Sequence, residues 1–239
     1  MESISINKFI SSTGFCSRRA ADKLLDEGRV QINGVIAKKG NRVVDGDKVL
    51  IDGKDLKQKE EPVYIVLNKP VGITCTTDLK DKDNIIDFLD FPGRIFPVGR
   101  LDKPSQGLII LTNDGDIVNK ILRAGNAHEK EYLVTVTTPI TRAFLNGMAG
   151  GVPILDSMTK KCTIKQINKN NFSIILTEGM NRQIRRMCEY FDYKISRLKR
   201  TRIMHLNLDD LPIGHWRYLT DVELQKLKKS VEFSSKTAD

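Results

Sequence analysis

Apolar residues recur along this chain with two periods, and the change between them divides it. Ile6, Phe9 and Ile10 have helical spacing, and Gly14 stops that helix. Ser17 is placed to cap a second helix running to Asp26, with Ala20, Ala21, Leu24 and Leu25 as its apolar face and Gly28 where a helix ends. Val30-Gln31-Ile32, Asn33-Gly34 and Val35-Ile36-Ala37 then form an alternating run broken by the strongest short hairpin signal. Asp45-Gly46 makes another turn before Lys48-Val49-Leu50-Ile51. Residues 1–53 therefore read as a small unit of two helices followed by antiparallel strands, with a marginal core. Residues 54–61 are charged around a single leucine and read as a solvated linker.

From Pro62 onward short strands alternate with short helices. Strands are predicted at 63–68, 107–112, 131–136, 161–167, 172–176 and 195–204. Helices are predicted at 84–89, 116–122, 141–148, 181–191 and 221–229. Several strands follow one another with no helix between them. That order gives an α+β domain over 62–239, with a mixed, mainly antiparallel sheet flanked by helices, and not a doubly wound parallel one.

Composition narrows the partners. The chain carries a formal net charge of +9, which points to phosphate. Its 40% hydrophobic content supports a core and excludes a disordered chain. Cys16, Cys75, Cys162 and Cys188 are scattered without a Cys-x-x-Cys pair, and His128, His205 and His215 form no ligand pair, so no metal site is expected. Residues 1–15 contain no apolar core of the signal-peptide kind, and no run approaches membrane-spanning length. A cytoplasmic protein with reduced thiols, no membrane partner and a monomeric state is expected.

Two segments concentrate charge. Residues 14–42 hold Arg18, Arg19, Lys23, Arg29, Lys38, Lys39 and Arg42 against Asp22, Asp26 and Glu27. Arg18 and Arg19 fall in the first turn of the second helix, where the helix dipole opposes cations; a phosphate would offset that, although a solvated helix face reads equally well. Residues 180–202 hold Arg182, Arg185, Arg186, Lys194, Arg197, Lys199, Arg200 and Arg202 against Glu189 and Asp192. Cations this dense repel one another, which favours phosphate contact.

Gly99-Arg100-Leu101-Asp102-Lys103-Pro104-Ser105-Gln106-Gly107-Leu108 sets one carboxylate beside an arginine, ahead of a buried apolar strand. Alone, Asp102 reads as a turn residue. Gly-Arg-Leu-Asp followed by Gly-Leu and an apolar strand resembles the catalytic motif of RNA pseudouridine synthases. Leu67-Asn68-Lys69-Pro70-Val71-Gly72, Lys130-Glu131-Tyr132 and Glu178-Gly179-Met180-Asn181-Arg182-Gln183-Ile184-Arg185-Arg186-Met187 resemble three further motifs of that family, in the family's order. Ser105-Gln106-Gly107 and residues 119–126 place the likeness in the RsuA/RluB/RluE/RluF branch, nearest its RluF type. Ser105-Gln106 departs from the branch pattern, which often has a threonine there. Residues 3–51 resemble the RNA-binding domain first seen in ribosomal protein S4.

The resemblance implies isomerisation of a uridine in 23S ribosomal RNA. A tRNA anticodon-stem uridine is the alternative substrate, and a non-catalytic RNA-binding or ribosome-assembly protein is the alternative class. It implies no cofactor, since the isomerisation exchanges no electrons and imports no group. Asp102 becomes the reacting carboxylate, either as a nucleophile toward sugar or base or by removing a ribose proton. Arg185 is its partner, and Tyr132 stacks on the target base. Ile184 forms an apolar floor, while Arg100 is either a wedge that fills the gap left by an extruded base or a structural ion-pair residue. Arg18, Arg19, Lys23, Arg182, Arg186, Arg197, Lys199, Arg200 and Arg202 are expected at RNA.

Overall fold

The computed structural model describes residues 3–56 and 61–234. The chain divides into two compact units, Met1–Pro62 and Val63–Asp239.

In the first unit, strand β1 (Ile4–Ser5) leads into helix α1 (Ile6–Ser12), and α2 spans Arg18–Asp26. The Ser17 hydroxyl accepts from the Ala20 amide at 3.1 Å, the cap that the sequence anticipates. Strands β2 (Val30–Ile32) and β3 (Val35–Ile36) form the expected hairpin, with Asn33 and Gly34 both at positive φ as its turn requires. Strand β4 (Arg42–Val43) pairs with β1, while β5 (Val49–Ile51) and β6 (Lys54–Asp55) complete an antiparallel sheet in the order β3-β2-β5-β6. Ile6, Ile10, Ala21, Leu25, Val30 and Ile51 meet in its core. Lys54 and Asp55 thus extend the sheet past the predicted limit at residue 53, because Ile51 and Leu50 offer them a strand edge. The predicted linker loses its first two residues to that strand, and its residues 57–60 lie outside the described residues.

The second unit begins with β7 (Tyr64–Lys69), α3 (Ile85–Leu89), β8 (Phe96–Val98), β9 (Gln106–Thr112) and α4 (Gly115–Leu122). It continues with β10 (Lys130–Val136), α5 (Arg142–Gly150), the small hairpin β11 (Pro153–Ile154) and β12 (Ser157–Met158), β13 (Thr163–Gln166) and β14 (Asn171–Leu176). Helix α6 (Gln183–Tyr190), β15 (Ile195–Ile203), β16 (Leu206–Asn207), β17 (Trp216–Tyr218) and α7 (Asp221–Ser230) close it. The main sheet runs β13-β14-β10-β15-β9-β7-β17, with β8 on β9 and β16 on β15. Among the described strands of this sheet only the β15–β9 pairing is parallel, in keeping with a mixed, mainly antiparallel sheet.

Strands β7 and β9 are buried throughout, which explains their continuous apolar runs. One face packs Tyr64, Val66, Leu108 and Ile110 against α4 and α7. The other packs Ile65, Leu67, Ile109 and Leu111 against Ile85 and Leu89 of α3. Farther along the sheet, Val134, Phe172, Ile174 and Leu176 pack against α5 and α6. Tyr132 touches both of these last two clusters, so it stands on the sheet face where they meet.

Candidate active site

Asp102 lies in the loop between β8 and β9, and that loop is fastened from three directions. The Leu101 amide points at Cys75 Sγ at 3.3 Å, Gly72 donates to the Lys103 carbonyl at 2.9 Å, and the Ser105 amide closes a turn onto the Asp102 carbonyl at 2.9 Å. Leu101 and Ser105 are buried on either side of the carboxylate. A short loop anchored this way holds Asp102 in place without burying it, and its side chain is 30% exposed.

Arg185 arrives from α6. Its Nη2 donates to the Pro104 carbonyl at 3.1 Å and to Ser105 Oγ at 2.9 Å. Its Nε lies 3.4 Å from Asp102 Oδ2 and makes no hydrogen bond, so the pairing with the carboxylate is a Coulombic contact. Arg185 therefore grips the loop backbone and the carboxylate together, and its side chain is only 12% exposed. The loop ahead of α6 sets this reach. Arg182 takes the left-handed conformation at φ 50°, and Gln183 accepts from the Met180 amide at 3.0 Å and donates to Glu178 at 2.7 Å. The helix consequently starts at Gln183, two residues later than predicted.

An open cleft of about 1010 Å³ is lined by Arg100, Asp102, Tyr132, Arg182 and Ile184, so the structure brings most of the expected site residues to one place. Ile184 is buried beneath it, and Arg100 is exposed at its edge. Arg185 stands behind Asp102.

The expected RNA-contact residues separate into groups. Arg18, Arg19 and Lys23 are exposed on α2, and Arg182 and Arg197 are exposed in the second unit. Lys199 and Arg186 are half-buried, and Arg186 donates to the Asn181 carbonyl at 3.1 Å. Arg200 is a correction. It is 4% exposed and its Nε donates to the Leu108 carbonyl at 2.7 Å, so it belongs to the cleft interior and not to a phosphate-facing surface. Arg202 is a second correction, since Glu131 and Glu129 each ion-pair with it at 2.9 Å and occupy its charge.

Two buried lysines carry no predicted role. Lys69 ends β7 with Nζ donating to the Pro70 and Ile73 carbonyls, each at 2.8 Å. Burial, with a smaller contribution from Arg200, pushes its pKa down to about 8, against the opposing pull of Cys75 and Asp102. Lys130 begins β10 on the same face as Tyr132, lines the cleft and donates to the His128 carbonyl at 3.2 Å. Burial and then the Arg200 charge push it down to about 8 as well. The two-residue spacing of Lys130 and Tyr132 was the available sequence signal. Among the described residues no cluster of His, Cys, Asp or Glu is placed to hold a metal ion.

Comparison with known proteins bears directly on this arrangement. Residues 63–190 match the family model described as RNA pseudouridylate synthase, and residues 5–50 match the S4 domain. The chain is 56% identical over 235 residues to the dual-specificity RNA pseudouridine synthase RluF of Salmonella typhi, covering 98% of this chain and 81% of that protein. Its RluF counterpart in Escherichia coli K12 is 54% identical over the same shares. The ribosomal large subunit pseudouridine synthase B of Bacillus subtilis is 35% identical, covering 93% of this chain and 95% of that one. A crystal structure of a pseudouridylate synthase superposes with a TM-score of 0.70 at 32% identity, covering 94% of this chain and 99% of its own.

Proposed function

The chain belongs to the RNA pseudouridylate synthase family, and from that premise we propose that it converts one uridine of 23S ribosomal RNA to pseudouridine, with Asp102 as the reacting carboxylate. The observation that carries this reading is the meeting of Asp102, Tyr132 and Ile184 in one cleft with Arg185 against the carboxylate.

The reaction breaks the bond between C1′ and N1, turns the base and joins C5 to C1′. A uridine inside folded RNA must first leave its stack, at a cost of a few kcal/mol. Tyr132 offers the extruded base a ring to stack on, with its hydroxyl available to help remove the C5 proton, and Ile184 offers an apolar floor. Asp102 then acts on the sugar or the base as a nucleophile, or removes a ribose proton. Arg185, with its Nε 3.4 Å from Asp102 Oδ2, keeps the carboxylate oriented. Arg100, exposed at the edge of the cleft, is our candidate to enter the gap left by the base.

The relatives' description as dual-specificity supports a second RNA substrate, and a tRNA anticodon stem is our reading of it. The test is the Asp102→Asn variant incubated with 23S ribosomal RNA. It should melt and bind RNA as the native protein does, while pseudouridine formation falls by at least about 10³-fold. Product at the native rate would refute the assignment.

A further inference from the structure

We propose that Lys130 and Arg200 form a donor-only subsite that receives a carbonyl oxygen of the extruded uracil. This rests on the reading of the Asp102 cleft as the uridine site and adds to it how the base is told apart. Tyr132 is the direct cross-strand partner of Arg200, and Lys130 lies two residues before Tyr132 on the same face of β10. All three line the cleft. Lys130 is 7% exposed and Arg200 4% exposed. Arg200 spends its Nε on the Leu108 carbonyl, and its buried Nη2 has no hydrogen-bond partner. Lys130 has three donors and one bond, to the His128 carbonyl.

Two neighbouring cations at this depth call for an acceptor, because buried charges left without one are costly. Among the described residues no carboxylate ion-pairs with either; Asp102 is held by Arg185, and Glu178 accepts from Gln183 and the Lys160 amide. A phosphate is the less suitable occupant. Arg100 and Arg182 are exposed and offer RNA backbone its partners outside, whereas Lys130 and Arg200 are buried beside Tyr132, on which the extruded base stacks in the proposed reaction. The entering group is the base. Ammonium and guanidinium donate and never accept. Uracil presents carbonyl acceptors at positions 2 and 4, while cytosine presents an amino donor at position 4. Received at O4, uracil matches the subsite while the cytosine amino group clashes with it electrostatically; O2 is common to both bases, so the 4-thiouridine arm reads discrimination and the 2-thiouridine arm reads binding alone.

The experiment pairs enzyme and substrate changes. A 23S ribosomal RNA fragment that the native protein modifies is prepared with the target uridine replaced by 2-thiouridine or 4-thiouridine, whose sulfur accepts hydrogen bonds poorly. In the native protein one of these should lower kcat/KM by about 10- to 100-fold, as loss of a charge-assisted hydrogen bond implies. Lys130→Met, which keeps the length of the side chain, should lose a similar factor on the unmodified RNA and show no further loss with that thio base, while its RNA affinity and salt dependence stay native. Should the Met variant melt early, Lys130→Gln is read the same way. Equal thio penalties in native protein and variant, including none in either, overturn the subsite, as does a variant whose defect is in RNA affinity alone. A native protein that makes no pseudouridine overturns the underlying reading instead.

Discussion

Gly107 of β9 lies directly against the backbone of Arg200 in β15, across the only parallel pairing of the main sheet. A Cβ at Gly107 would stand 2.6 Å from the Arg200 amide nitrogen and closer still to its carbonyl oxygen, and the φ of +118° is one that side chains rarely adopt. Backbone cannot swing away as a side-chain tip would. Glycine here lets β15 approach β9 and seats Arg200 beside Tyr132. Gly107→Ala should therefore destabilise the second unit by about 2–4 kcal/mol and lower activity beyond what the loss of folded protein explains. Thermal melting with single-turnover assays on the folded fraction checks this, and a native melting curve would contradict it.

Arg185 performs two tasks with different nitrogens, Nη2 for the loop at Pro104 and Ser105 and Nε for Asp102. An ammonium cannot span both. Arg185→Lys should keep the charge but lose the grip, lowering kcat by about 10- to 100-fold while KM for RNA changes little. Rescue of full activity by lysine would mean that charge alone suffices and that the loop contacts are incidental.

Much of this geometry was legible in the sequence, and the failures share a cause. The Asn33-Gly34 hairpin, the Ser17 cap and the apolar run of β9 are local, so residue chemistry within a few positions specifies them. The convergence of Asp102, Tyr132 and Ile184 was read from motif order, not from physics. Arg200 was misplaced because β15 carries a register shift between its pairings with Glu131 and Tyr132. One extra residue there reverses which side chains face inward, and the partner strand dictates it. Lys69 and Lys130 fall one residue outside the predicted strands 63–68 and 131–136 and received no role, since nothing nearby in sequence announces the layers that cover them. The left-handed turn at Arg182 is likewise fixed by its neighbour Gln183, whose side chain accepts from the Met180 amide and donates to Glu178, and not by residue type.

Lys130 titrates near 8 in the folded chain, against 10.5 ordinarily. Between those values the unfolded chain binds a proton that the folded chain does not, so this lysine makes stability rise with pH. Below about pH 8 the folded state bears the full cost of the buried charge. Cys162 and Cys188, raised to about 11 and 12 by burial, act oppositely at alkaline pH, so the native curve alone mixes the two effects. The difference between native protein and Lys130→Met removes the thiols. The variant should be more stable at pH 7, by on the order of 3 kcal/mol, and the gap should close toward pH 10.5. A gap that is constant with pH would mean that Lys130 keeps its ordinary titration. A gain in stability accompanied by lost activity is the trade expected of a charge retained for chemistry.

Arg19 and Lys23 stand exposed on α2, and Arg19 sits in a first turn that contains no acidic residue. The helix N-terminus repels that cation, and an RNA phosphate drawn to the same place would offset the repulsion. Each phosphate contact releases condensed counterions, and the slope of log K against log salt loses about 0.9 for each such contact removed from a duplex. Arg19→Ala with Lys23→Ala should therefore weaken RNA capture and flatten that slope by about 1.5–2, with kcat unchanged at saturating RNA. Lys39 is the internal control. Its ammonium is already 2.5 Å from Asp26, so Lys39→Ala should change the slope less. If the double variant keeps the native slope, this helix is not where the first unit meets RNA.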